Sequence, residues 1–155
     1  MRKVYLCGLL LLMIILASCG HSDRSVLIFE GASMAPTIYD EDRIVVNEAY
    51  YDKHEVQRGE IVMYETEDHK LYVKRVLGLP GEEIQMKSGQ ILANDEPVSE
   101  EFIFQEVQSE GFEMALGDNE YFVLGDAMDM SRDSRHIGPV MKEDIIGKVV
   151  IIKPE

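Results

Sequence analysis

Apolar residues along this chain come in short runs separated by turn residues, and no stretch shows convincing 3.6-residue helical periodicity. Val26-Leu27-Ile28-Phe29 reads as the start of a buried strand. Asp42 to Asn47 and Gly59 to Tyr64 are two further strands, divided by the polar segment Glu48 to Arg58. In Leu71 to Gly81, the residues Tyr72, Val73, Val76 and Leu77 suit a pleated sheet, and Gly78, Pro80 and Gly81 end it in a turn. Gly81 to Pro97 reads as a hairpin region, with Ile84, Met86 and Leu92 inward and turns at Lys87-Ser88-Gly89 and Asn94-Asp95. Glu100, Glu101, Glu106 and Glu110 read as a solvated loop. Glu120 to Leu124 and Ile145 to Ile152 complete the strands. The spacing predicts an all-β, antiparallel body.

Side chains alternate across a strand, so Lys74 shares a face with Tyr72 and Val76, while Arg75 points the other way with Val73 and Leu77. Desolvation on an apolar face disfavours the ammonium form and would turn Lys74 into a base. Arg75 stays charged, and if buried it requires a carboxylate partner. An isolated edge lysine that snorkels to water is the plainer reading of Lys74, and only a nucleophile elsewhere reverses it. Ser33, in Glu30-Gly31-Ala32-Ser33-Met34-Ala35-Pro36-Thr37, sits among small residues near a proline, where a stiff exposed turn presents a hydroxyl. Taken alone, it reads rather as an ordinary cap or loop serine.

Composition narrows the function classes. The formal charge is −14 over 155 residues, which repels phosphate backbones and anionic headgroups, so no nucleic-acid partner is expected and membrane attachment cannot rest on basic patches. Cys7 and Cys19 are the only cysteines, so the rest of the chain has neither disulfides nor thiolate metal sites, and no metal or cofactor is expected. Methionines such as Met114, Met128, Met130 and Met141 read as core or groove filling. Arg2 and Lys3 followed by the apolar run Val4 to Leu16 form an export signal, too short to span a bilayer comfortably. Leu16-Ala17-Ser18-Cys19 resembles the lipobox of bacterial lipoproteins, which implies a lipid on Cys19 and cleavage before it. The expected organisation is therefore a signal peptide over 1–18, a tether over 19–25 and a catalytic domain over 26–155. Removing Arg2 and Lys3 takes the charge from −14 to −16. From Cys19, Ser33 stands at most ~50 Å from the lipid even on a fully extended chain.

Gly125 to Gly138 is dense in serine, aspartate and arginine and is held between two strands, a loop built for internal hydrogen bonds and ion pairs. With it the sequence carries Ser-Met-x-Pro-Thr at Ser33 to Thr37, Arg-Gly-Glu-Ile-Val at Arg58 to Val62, Tyr-Val-Lys-Arg-Val-Leu-Gly-Leu-Pro-Gly at Tyr72 to Gly81, and Gly-Asp-x-x-x-x-Ser-x-Asp-Ser-Arg at Gly125 to Arg135. In this order these resemble the four boxes of bacterial type I signal peptidases. The resemblance implies a partly closed, barrel-like antiparallel catalytic domain that cuts signal peptides from exported preproteins after small residues, at the outer face of a membrane. It makes Ser33 the nucleophile and Lys74 its general base. It also has Ser131 orient the lysine amine by a hydrogen bond and Arg75 pair with Asp133. Ala127 and Met130 depart from the asparagines usual in the last box. The short segment from Gly81 to Gly117 leaves no room for the large second domain of some relatives. Other readings are a serine-histidine-aspartate hydrolase using His69 or His136, a self-processing Ser-Lys protease, and a module that binds signal peptides without cutting them.

Overall fold

The computed structural model describes residues 23–107 and 111–152. Eleven strands dominate, and every ladder is antiparallel. They are β1 (Arg24–Ile28), β2 (Arg43–Asn47), β3 (Ile61–Glu65), β4 (Leu71–Gly78), β5 (Glu83–Lys87), β6 (Gln90–Ala93), β7 (Glu96–Pro97), β8 (Phe112–Ala115), β9 (Glu120–Leu124), β10 (Val140–Met141) and β11 (Ile145–Ile152). Seven form a sheet in the order β1-β2-β11-β3-β4-β9-β10, curled as a half-barrel, and four form a smaller sheet, β7-β6-β5-β8. The only α-helix among the described residues is the single turn α1 (Ser134–Ile137).

Alternation on β3 and β4 sorts the core. Val62, Tyr64 and Val76 pack on one face with Tyr121, Val123 and Val140. Ile61, Met63 and Val73 pack on the other with Met34, Ile38, Ile44 and Val46. A third cluster joins the two sheets through Leu77, Ile84, Met86, Leu116 and Phe122. Gly78 lies where they meet: a Cβ there would press on Ile84, Leu116 and Phe122 at 2.7 to 2.8 Å. The hairpin turns use left-handed backbone at Ser88, Gly89, Asn94 and Asp95, as their residue types anticipate.

Two expectations change. β1 is an edge strand rather than a buried one: Val26 is 53% and Ile28 55% exposed, and only Phe29 beyond its end enters the core. An apolar run has no way to reveal that one side of the strand lacks a neighbour. The acidic segment after β7 is also more than a solvated loop. It carries a 3-10 turn, Glu100–Phe102, whose Phe102 ring fills the space a Cβ on Gly59 would need, and it buries Val107.

Candidate active site

Ser33 lies in a turn beyond β1, followed by a tight run in which the Thr37 and Ile38 amides both donate to the Met34 carbonyl. Met34 and Ile38 are fully buried, which anchors this turn beneath the serine. Lys74 is in the middle of β4, opposite Val62 of β3, and is only 2% exposed. Its Nζ lies 2.8 Å from Ser33 Oγ and donates to the Val73 carbonyl at 2.9 Å. The Tyr72 ring sits 5.3 Å from the same nitrogen. Burial pulls the lysine down from its ordinary value of 10.5 to about 8, against the opposing pull of the Asp133 and Asp126 carboxylates. A substantial fraction is therefore the neutral amine near pH 8, which can accept a proton from the adjacent hydroxyl.

The face argument for Arg75 holds, but its partner differs. Arg75 makes a bidentate pair with Asp126, Nε to Oδ1 at 2.8 Å and Nη2 to Oδ2 at 2.7 Å, and also donates to the Gly59 carbonyl and Thr37 Oγ1. The β4–β9 register explains this. It sets Leu124 opposite Arg75, and Asp126, two residues on, returns to the same face. The expected Arg75–Asp133 pair is not formed. Asp133 instead accepts from Arg135 Nε at 2.9 Å and Nη2 at 3.0 Å and from the Gly125 amide at 3.1 Å, and it caps α1 in a capping box with His136. Thr37 Oγ1 also donates to Asp126, so the ion pair ties the Ser33 turn to the loop after β9.

Ser131 likewise departs from expectation. It is buried close by, but its Oγ makes no hydrogen bond among the described residues, to Lys74 or to any other group. It is packed against Gly125, where a Cβ would overlap both Ser131 Oγ and the Ser33 carbonyl. That carbonyl accepts from the Ala127 amide at 3.0 Å. Asp126, Thr37 and Phe104, whose ring lies 5.3 Å from the Arg75 guanidinium, were given no role from sequence. Asp126 and Thr37 stand inside the quoted boxes, whereas nothing near Phe104 signals its contact. His69 is on the surface beside Glu65, and His136 belongs to the α1 cap.

A cleft of about 580 Å³ opens on Ser33 and Lys74, lined by Leu27 to Ser33, Ile44, Met63, Leu71 to Lys74, Met130 and Arg132. Met130, where the boxes usually hold asparagine, is 68% exposed on its rim. No group of three or more metal-ligating side chains occurs among the described residues. Cys19 and the rest of 1–22 lie outside the described residues.

The family model for signal peptidase, peptidase S26, matches residues 2–153. Signal peptidase I U of Bacillus subtilis is 39% identical over 131 residues, covering 77% of this chain and 70% of that one. Signal peptidase I V of the same organism is 34% identical over 134 residues, covering 77% and 80%. A crystal structure of a signal peptidase I from Enterococcus faecalis aligns with a TM-score of 0.55 at 25% identity, covering 61% of this chain and 97% of that one. With a family match over nearly its full length, this chain belongs to the signal peptidases of family S26.

Proposed function

We propose that Ser33 and Lys74 are the nucleophile and general base with which this serine endopeptidase removes signal peptides from exported preproteins. The observation that carries the assignment is the 2.8 Å approach of a buried lysine amine to a serine hydroxyl at the floor of an open cleft. Neutral Lys74 takes the Ser33 proton as Oγ attacks the scissile carbonyl, and returns it to the leaving amine when the C–N bond breaks. The Ser33 amide, which enters no hydrogen bond among the described residues, is available to the oxyanion. Ile44, Met63 and Val73 beside Ser33 offer apolar cleft walls to the residues before the cut. Arg75 and Asp133 act as supports, each holding the loop after β9 through its own ion pair. Ser131 fills the space behind the serine.

The test is cleavage of a signal-peptide substrate. Wild type turns it over, which a binding module does not. Ser33→Ala and Lys74→Ala abolish turnover, while His69→Ala and His136→Ala keep it. Activity surviving in a folded Lys74→Ala enzyme overturns the assignment.

For attachment, we infer a diacylglyceryl thioether on Cys19 after removal of 1–18, with 19–25 as tether and 26–155 as catalytic domain. The lipobox-like Leu16 to Cys19 and the acidity of the body support this. Among the described residues no helix is long and apolar enough to cross a membrane. Two acyl chains suffice for stable anchoring at the outer membrane face, where preproteins and membrane lipid are the partners.

A further inference from the structure

The 3-10 turn Met128–Met130 is fixed through its backbone. The Met130 amide donates to the Ala127 carbonyl at 3.0 Å, Arg135 Nη2 donates to the Met128 carbonyl at 2.6 Å, and the Ala127 amide donates to the Ser33 carbonyl at 3.0 Å. Its two methionines meet opposite surroundings. Met128 is 5% exposed and belongs to the core, whereas Met130 is 68% exposed and lines the cleft that opens on Ser33 and Lys74. Elsewhere among the described residues the thioethers are shielded: Met34, Met63 and Met86 are buried, and Met114 and Met141 are half-buried. Oxidation of a thioether follows its exposure, so an oxidant reaching this face meets the Met130 sulfur first.

The neighbours of that sulfur make its oxidation consequential. Leu27, Ile28 and Leu71 are exposed on the same cleft, so a peptide bound there covers apolar surface together with Met130. A thioether is soft and flexible and adapts to an apolar partner. A sulfoxide is polar, and covering it strips its oxygen of water. Any other donor it recruits, such as the exposed Arg132 on this cleft, competes with the peptide for the same wall.

Resting on the Ser33–Lys74 reading, we propose that Met130 is an oxidation site in the substrate cleft, and that its sulfoxide weakens peptide binding while leaving the chemical step intact. The oxidant is a peroxide. The sulfur attacks one peroxide oxygen, the S–O bond forms and the O–O bond breaks. With hydrogen peroxide, the proton on the transferred oxygen goes to the departing hydroxide, which leaves as water. The sulfur is oxidised by two electrons and the peroxide is reduced by two. Because the change lies at the end of a side chain, the backbone bonds that tie the turn to Ser33 persist.

The test treats the full-length enzyme with a limiting dose of hydrogen peroxide, locates sulfoxides by peptide mass spectrometry, and measures cleavage of a signal-peptide substrate before and after. Met130 should be oxidised ahead of the other methionines among the described residues. KM should rise about fivefold, the factor expected from losing part of one methionine's burial, with kcat unchanged. Methionine sulfoxide reductase should restore KM. The ratio of treated to untreated kcat/KM is taken within each protein, so differences in basal activity cancel, and in Met130→Leu this ratio should be one. Oxidation elsewhere with Met130 intact, complete sulfoxide at Met130 with KM unchanged, or an equal loss in Met130→Leu overturns the proposal. An untreated wild type that cleaves no signal peptide would instead sink the Ser33–Lys74 reading, and the effect on binding with it.

Discussion

Folding Lys74 into its site strips the ammonium of water, and the carboxylates of Asp133 and Asp126 only partly compensate. Its folded value of about 8 lies below its ordinary 10.5, so between these limits the unfolded chain binds the extra proton and stability rises with pH. Below pH 8 the full cost of roughly 3 kcal/mol applies. Lys74→Met should therefore stabilise the inactive domain near pH 7 by up to about that amount, a gain that shrinks as pH climbs toward 10.5. Thermal melts of both proteins across this range check it, and a pH-independent difference would contradict it. On the proposed assignment of Lys74 as the base, the same titration governs catalysis, and kcat/KM should rise with pH through about 8 and level off. Arg75 behaves differently, since it never gives up its charge. Asp126→Asn leaves it buried beside a neutral group and should cost about 3 to 5 kcal/mol. A double-mutant cycle should find strong coupling between Arg75 and Asp126 and little between Arg75 and Asp133.

Strand β9 and the loop after it form the element on which the site closes. Gly125 passes so near Ser33 and Ser131 that any side chain there must displace one of them. Gly125→Ala should lower kcat on a signal-peptide substrate by about 10²-fold, the order expected when a reacting group is moved by roughly an ångström. Unchanged kcat in that variant would mean that the loop yields freely. This crowding also marks where sequence reading stops. The strands from β2 to β6, β9 and β11 were legible because their residue types and turns are local signals, and the separation of Lys74 from Arg75 followed from alternation alone. The exposure of β1, the capping turn α1 and the choice of Asp126 over Asp133 were not. The first and last depend on sheet order and register, which no local pattern encodes, and both aspartates lie in one loop of similar composition, while α1 is a single turn, too short for helical periodicity to mark it. Phe104 over Arg75 is a contact between distant segments that composition disguised as acidic loop.

At the scale of the whole molecule, the surface charge and the attachment oppose each other. A body of this acidity is repelled by anionic lipid, so the proposed lipid on Cys19 would have to hold it against that repulsion. Intact-mass analysis of detergent-extracted protein should show Cys19 as the modified N-terminus, and Cys19→Ser should shift the enzyme from the membrane to the soluble fraction. Unmodified Cys19 still preceded by Met1 to Ser18 would refute the lipid anchor. The sheet order also sets the timing of activity. β11 lies between β2 and β3, so the ladder joining the β1–β2 hairpin behind Ser33 to the β3–β4 hairpin that carries Lys74 runs through residues 145–152. A chain synthesised N-terminus first therefore keeps these hairpins unjoined until residues 145–152 slot between them. On the proposed Ser33–Lys74 assignment, the two side chains are held together only once β11 is in place, so cleavage would begin only after the C-terminal strand has been made.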